Sequence, residues 1–283
     1  MTSLPSHQHP MTPIVIACSS CAELRGDQRG FSLVEMAIAV FIMALLIGSF
    51  LVPLQSQVEI RKIDETQRIL DQARDALLGF VAANGFFPCP ADAGGGAESA
   101  GANHAAAAAT TCPASVTGTN VYAGFLPAVT LGLTTVDSNG YALDAWGLQQ
   151  NRIRYAVANG TIGVTQPFTR INGMKTATMG SILAVPATTL LNVCGTGANA
   201  TCVAADMLSS NTIAVIWSLG ANAPAAATAP HEDKNSRAAL TSYTRLYVQA
   251  ERSNVAGRLF DDQLTWIAPP MLFNRLIAAG QLP

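Results

Sequence analysis

The chain has 283 residues, with 16 Lys and Arg against 18 Asp and Glu, and a formal net charge of -2. This near-neutral balance provides no basic field, so we do not expect nucleic-acid binding. Charged residues make up 12% of the chain and hydrophobic residues 49%, a composition that excludes a charge-solvated disordered protein. Part of the apolar excess lies in one segment near the N-terminus.

That segment, residues 31–54, reads FSLVEMAIAVFIMALLIGSFLVPL and contains one ionisable residue, Glu35. At about 1.5 Å per residue in a helix, it is long enough to cross a bilayer core of about 30 Å. We therefore predict a single transmembrane helix, whose orientation the flanking charges do not settle. A carboxylate in an apolar run either has a partner or reaches the membrane interface. Taken alone, Glu35 leaves both alternatives open.

The residues around Glu35 carry a family resemblance. The sequence RGFSLVE at 29–35 resembles the processing site of type IV prepilins, where a leader peptidase cuts after glycine. The resemblance implies cleavage after Gly30, methylation of the new N-terminus at Phe31, and an assembly role for Glu35. In this family the amino group of one subunit lies against the glutamate of its neighbour, which offsets part of the desolvation of both charges. The leader is long for a prepilin, and Met11 is an alternative start.

Three parts follow along the chain: a leader at 1–30, a transmembrane and spine helix at 31–83, and a head at 84–283. Apolar residues recur every three to four positions over residues 58–81, with charged residues between them, which predicts an amphipathic continuation of the helix. Pro53 is expected to kink this helix rather than end it. A coiled coil outside the membrane is the alternative interpretation of the amphipathic half.

The head is predicted to contain several short strands and a terminal helix. The strands are expected at residues 152–158, 213–220, 241–250 and 259–267, and the helix at 271–279. The resulting fold class is α+β, with a long kinked N-terminal helix packed on a C-terminal antiparallel sheet, as in pilins. The DAWG turn at residues 144–147 also resembles a turn of the secretion pseudopilins.

Four cysteines lie in the mature part of the chain. Cys89 and Cys112 bracket an Ala/Gly-rich segment at 91–111, which we interpret as a flexible insertion, whereas Cys194 and Cys202 flank a short turn. Three pairings are possible, and we expect the sequential one, 89–112 and 194–202. Disulfides fit an oxidising periplasm. A zinc site is the alternative, but these cysteines lack CxxC spacing and an adjacent histidine.

No nucleophile–base or phosphate-binding motif is present in the sequence, so we expect neither catalysis nor a cofactor. His231 lies beside Glu232 and Asp233, and we interpret this group as an exposed loop cluster. We interpret residues 261–262, a pair of aspartates, as a solvated turn.

Calcium enters through the resemblance to major pseudopilins, which bind it in the loop after the strand similar to residues 213–220. The corresponding loop here, residues 221–236, has only two acids, whereas calcium takes six to eight oxygen ligands. Backbone carbonyls and Asn222 or Asn235 would have to supply the remainder. We do not expect a calcium site.

The sequence therefore indicates a structural subunit, and a minor one, of a type IV pilus or a type II secretion pseudopilus, and not an enzyme. The implied partners are a prepilin peptidase, other pilin or pseudopilin subunits, an inner-membrane assembly platform and membrane lipid. The implied location is the bacterial inner membrane, with one span and a periplasmic head, and then the pilus or pseudopilus. The choice between pilus and pseudopilus stays open. The alternative function is a membrane-tethered periplasmic binding protein that does not assemble.

Overall fold

The structure is a computed structural model that divides into two units, Met1–Leu54 and Gln55–Pro283. It describes residues 30–105, 111–113, 117–118, 121–161, 165–197, 202–223, 230–236, 245–255 and 258–281, without the side chains of 49–55, 117–118 and Pro230. Of the predicted leader at 1–30, residues 1–29 lie outside the described residues. The predicted division at residues 30 and 83 stays a prediction.

Helix α1, Leu33–Asn84, is the longest element. In the second unit its buried face includes Leu70, Ala73 and Leu77, all fully buried, at the three-to-four-residue spacing of an amphipathic helix. The helix ends at Asn84, and Gly85 follows with a φ of 79°, a backbone conformation that favours glycine. The kink predicted at Pro53 falls on residues 49–55, whose side chains are not described.

Eight strands are present in the described part of the chain. They are β1 Thr117–Gly118, β2 Val121–Phe125, β3 Arg154–Ala158, β4 Leu191–Cys194, β5 Met207–Thr212, β6 Ala214–Ser218, β7 Leu246–Val248 and β8 Gln263–Ile267. The main sheet has the order β1-β2-β3-β6-β8, and every neighbouring pair in it is antiparallel. The predicted strands at 152–158, 213–220 and 259–267 correspond to β3, β6 and β8, so the core of this sheet is confirmed.

A second sheet has the order β5-β4-β7. Strands β4 and β5 lie on either side of the Cys194–Cys202 pair in the sequence and pair antiparallel, whereas β7 pairs with β4 in parallel. The sequence did not identify β4 and β5 as strands, and only antiparallel pairing was expected. In the predicted strand at 241–250, only residues 246–248 form β7, while 241–244 lie outside the described residues.

Three further helices are α2 Met179–Leu183, α3 Pro230–Ser236 and α4 Pro269–Ala278. Helix α4 begins two residues before its predicted start, because two prolines fit the first turn, where their missing N–H groups are not needed. Its buried Leu272 and Leu276 share one hydrophobic core with Leu77 of α1 and with Tyr155 and Trp217 of the main sheet. The fold class is α+β, with an antiparallel main sheet and an N-terminal helix.

Candidate functional site

Both sequential cysteine pairs are joined in the structure. The Cα atoms of Cys89 and Cys112 lie 5.6 Å apart, and those of Cys194 and Cys202 lie 6.0 Å apart, within the range of a disulfide. The first bond closes the Ala/Gly-rich segment that the sequence predicts to be a flexible insertion. Cys89 and Cys112 are both buried.

The described part of this segment, residues 91–105, packs on the head instead of extending from it. Ala91 is fully buried and pairs with Phe125 of β2 through two hydrogen bonds of 2.9 Å. The backbone N–H of Glu98 donates to Oγ1 of Thr130 at 2.8 Å. Small residues make this possible, because alanine lets the loop backbone approach a sheet edge closely. Low complexity was therefore a poor guide to the packing of these residues.

His104 fastens the end of this segment. Its Nδ1 lies 2.6 Å from the carbonyl oxygen of Thr169, and its Nε2 lies 2.7 Å from Oε1 of Glu98. A carbonyl oxygen only accepts, so Nδ1 carries a proton. Burial lowers the pKa of His104, but the hydrogen bonds to Glu98 and Thr169 and the charge of Glu98 outweigh it and leave the pKa raised. The ring packs on Phe86, with centroids 4.2 Å apart.

A second polar cluster lies at the loop after β6. Helix α3 places Glu232 fully inside the head, and the residues before β8 bring in Asp261 and the buried Asp262. Asn222 Nδ2 donates to Glu232 at 2.6 Å, and Asn235 Nδ2 donates to Asp262 at 2.8 Å. The solvated turn predicted at 261–262 and the exposed loop cluster predicted around Glu232 are therefore wrong. Glu232 and Asp262 each accept from an asparagine, 10 and 27 positions away in the sequence, whereas Asp233 is exposed.

His231 is on the same short helix, not in an exposed loop. Its Nδ1 accepts a hydrogen bond of 2.8 Å from the backbone N–H of Gly197. The two residues are 34 positions apart, so the contact was not visible in the sequence. His231 therefore holds α3 to the β4–β5 connection and is not directed at Glu232.

Two carboxyl groups of this cluster, those of Asp261 and Asp262, have raised pKa values. Burial is the largest cause that raises the pKa of Asp262 well above its usual range; the hydrogen bond from Asn235 opposes it, and the nearby charges of Asp261 and Glu232 add to it. Burial likewise raises the pKa of Asp261 to about 6, against the backbone N–H groups of Ala221 and Asn222. The folded head thus favours protonated carboxyls here.

Calcium was the cofactor that the resemblance suggested for this loop, and the structure allows the fit to be tested. Four buried oxygens have no hydrogen-bond partner: Asn222 Oδ1, Glu232 Oε2, Asp261 Oδ1 and Asp262 Oδ1. Two ligands on one calcium ion lie at most about 5 Å apart, since each Ca–O distance is about 2.4 Å. Among the described residues, the three acids do not form a group whose ligand atoms meet that limit. The three acids therefore do not fit as joint ligands of one ion.

The DAWG turn is tied to the main sheet by Asp144. Its carboxylate accepts hydrogen bonds from Ser218 Oγ at 2.5 Å, Asn151 Nδ2 at 3.0 Å and the backbone N–H of Trp146 at 2.9 Å. Asp144 is buried, and burial raises its pKa against these hydrogen bonds. Asp144 therefore holds the turn to Ser218, the last residue of β6.

The N-terminal segment contrasts with these buried groups. Every described side chain from residue 30 to 48 is exposed, including Phe31 at 76% and Leu33 at 89%. Ser32 caps the start of α1, because its Oγ accepts a hydrogen bond of 3.3 Å from the backbone N–H of Glu35. A continuous exposed apolar helix requires a partner outside its own unit.

Comparison with known families accounts for this segment. Residues 25–51 match the family model of the prokaryotic N-terminal methylation motif. The chain carries a prepilin-type N-terminal segment. This is the signature shared by type IV pilins and pseudopilins. No curated protein and no solved structure matches the chain.

Within the prepilin-type segment, Gly30, Phe31 and Glu35 are all exposed, and their roles in processing and assembly stay predictions. Across the described residues, the structure contains no helix with the length and apolar content needed to cross a membrane. The span predicted for 31–54 includes residues 49–54, whose side chains lie outside the described part, and it stays a prediction.

Proposed function

We propose that the chain is a structural subunit of a type IV pilus or a type II secretion pseudopilus. It is made as a precursor, cleaved after Gly30 by a prepilin peptidase, methylated at Phe31, and assembled with other pilin-type subunits through α1. Before assembly, the apolar half of α1 anchors the subunit in the inner membrane, with the head in the periplasm. We assign the chain no catalytic step.

The match of residues 25–51 to the methylation motif is the single observation that carries this proposal. The exposure of the described side chains at 30–48 supports it, since an apolar helix without contacts in its own unit is suited to lipid or to neighbouring helices. The two disulfides of the head support an oxidising compartment.

Glu35 gives assembly a register. A carboxylate within hydrocarbon costs a few kcal/mol, and the ammonium group that cleavage creates at Phe31 has the opposite charge. Within one subunit the two groups are joined by a short stretch of chain that enters α1 at Leu33. Between two subunits they meet only when the helices are staggered correctly. The ion pair between Glu35 of one subunit and the Phe31 amino group of another therefore stabilises one stagger of the two helices relative to the others.

Mass spectrometry of the protein from envelope fractions tests the processing step. The expected N-terminus is N-methyl-Phe31 when prepilin peptidase is present, and the full-length precursor when it is absent. Precursor that persists in cells with an active peptidase overturns the proposal and leaves a tethered protein that does not assemble.

A matched pair of variants on α1 tests the register. Glu35→Ala is expected to be processed normally but to enter filaments at least about tenfold less efficiently than wild type, since the few kcal/mol of an uncompensated charge correspond to that ratio. Glu65→Ala removes an exposed acid from the same helix and is the control, with assembly unchanged. Equal incorporation of Glu35→Ala and Glu65→Ala would refute the register role.

A further inference from the structure

The surroundings of the Cys89–Cys112 disulfide contain a set of metal-ligand atoms. The Cys89 sulfur, a carboxylate oxygen of Glu98 and a ring nitrogen of His104 all lie within 4.8 Å of one another. The sulfur of Cys112 is bonded to that of Cys89 but is not one of the atoms of this group, so it has to move closer to Glu98 and His104 to act as a fourth ligand. Among the residues that the structure describes, no other group of three or more such side chains is this close.

We propose that, when this disulfide is reduced, Cys89, Cys112, His104 and Glu98 form a zinc site. Two thiolates, an imidazole and a carboxylate are the ligand types that select Zn²⁺, and sulfur ligands disfavour calcium and magnesium. Four ligands complete a closed tetrahedral site of the structural kind. The disulfide and the metal are then two alternative cross-links of the same loop.

The histidine is already oriented for this role. Its Nδ1–H donates to the carbonyl oxygen of Thr169 at 2.6 Å, a contact that fixes the tautomer of a metal-binding histidine. This leaves Nε2 directed at Glu98, 2.7 Å away. In the oxidised chain a proton occupies the space between Nε2 and Glu98, and in the reduced chain the metal takes its place.

The backbone also suits the change. Zinc holds two thiolates about 3.8 Å apart, given Zn–S distances of about 2.3 Å at a tetrahedral angle. The Cα atoms of Cys89 and Cys112 are 5.6 Å apart, so the side chains can open to that separation by rotation. Cys89, Cys112 and the ring of Phe86 against His104 provide a site largely closed to water.

Reduction of the Cys89–Cys112 disulfide is a two-electron exchange with a dithiol. The dithiol attacks the Cys89–Cys112 bond, which breaks, and the dithiol becomes a disulfide. Its two electrons and two protons pass to Cys89 and Cys112, which become thiols. Binding of Zn²⁺ then releases the two thiol protons and the Nε2 proton of His104 to solvent. Oxidation reverses the sequence and expels the metal.

The test uses the full chain in detergent, with Ser replacing Cys18, Cys21, Cys194 and Cys202, so that only the pair in question remains. Co²⁺ is the probe, because tetrahedral thiolate ligation gives it a charge-transfer band and strong visible absorption. After reduction by a phosphine and its removal without oxygen, we expect one Co²⁺ per chain, displaced by one Zn²⁺. The oxidised chain is expected to bind none.

Two histidine variants distinguish a built site from chance thiol binding. His104→Ala is expected to weaken Co²⁺ binding at least about tenfold, whereas His231→Ala, which alters a histidine bonded to Gly197, leaves it unchanged. If the reduced chain loses its circular dichroism, recovery on adding Zn²⁺ supports the site, since metal binding then drives folding. No thiolate band in the reduced chain, equal affinity of the two histidine variants, or no recovery overturns the proposal.

Discussion

The acid cluster after β6 makes the stability of the head depend on pH. The pKa of Asp261 is raised from 3.8 to about 6 in the folded head, mainly by burial. A carboxyl whose pKa is higher in the folded state favours folding while it is protonated, so stability falls as pH rises through the interval from about 4 to 6. Burial also raises the pKa of Asp262, so its ionisation contributes in the same direction.

The magnitude follows from the pKa difference of Asp261. A rise of 2.2 (6 − 3.8) corresponds to about 3 kcal/mol, and solvent screening of this half-buried group reduces it to about 1 to 2 kcal/mol. Asp261→Asn removes the ionisation but keeps an oxygen for the N–H groups of Ala221 and Asn222, both of which donate to a single carboxylate oxygen. The variant should therefore gain stability relative to wild type as pH rises.

Urea unfolding of the mature chain in detergent, at pH values from 4 to 7 with a chelator present, measures the effect. We expect the free energy of unfolding of Asp261→Asn to rise by about 1 to 2 kcal/mol relative to wild type between pH 4 and 6. Asp64→Asn, at an exposed position on α1, is the control and should show no such trend. A constant difference between Asp261→Asn and wild type across this range would refute the assignment of a raised pKa.

Three further predictions concern the packing of the head, each measured by urea unfolding. Asp144→Ala leaves buried donors of the DAWG turn and β6 without an acceptor and should cost about 2 to 4 kcal/mol, a prediction that a loss below 1 kcal/mol contradicts. Leu77→Ala removes most of a fully buried side chain and should lower the free energy of unfolding by about 2 to 5 kcal/mol. Its control, Ile60→Ala, is at a position 57% exposed and should change the free energy of unfolding by less than about 0.5 kcal/mol. Similar losses of stability in the two variants would place Leu77 outside the core. Replacing Cys89 and Cys112 together by Ala should lower the free energy of unfolding by about 3 kcal/mol, because the bond closes a loop between residues 23 positions apart. An unchanged unfolding midpoint would argue against the bond.

Local patterns made much of this molecule predictable. The buried stripe of α1 repeats every three to four residues, the strands β3, β6 and β8 are short runs rich in apolar side chains, and the processing motif is contiguous. The sequential disulfides follow from two pairs of cysteines that are close in the chain. In each case the information lies within a few tens of residues.

What the sequence did not reveal depends on distant contacts. Asn235 and Asp262 are 27 positions apart, and His104 and Thr169 are 65 positions apart. Nothing in the local composition around Asp262 distinguishes a buried acid from a solvated one, because its burial depends on distant residues such as Asn235 of α3. The parallel pairing of β4 with β7 was missed for the same reason, since a parallel partner must come from a remote segment.

The two disulfides close only short stretches, with separations of 23 and 8 residues, whereas β6 and β8 must meet before the main sheet is complete. When the polypeptide emerges N-terminus first, each bond can therefore form while the C-terminal strands are still inside the ribosome or a translocation channel. Order of emergence then selects the correct partners, because Cys89 and Cys112 can join before Cys194 is present to compete. Chain direction alone thus protects oxidation from scrambling, without the finished tertiary structure as a template.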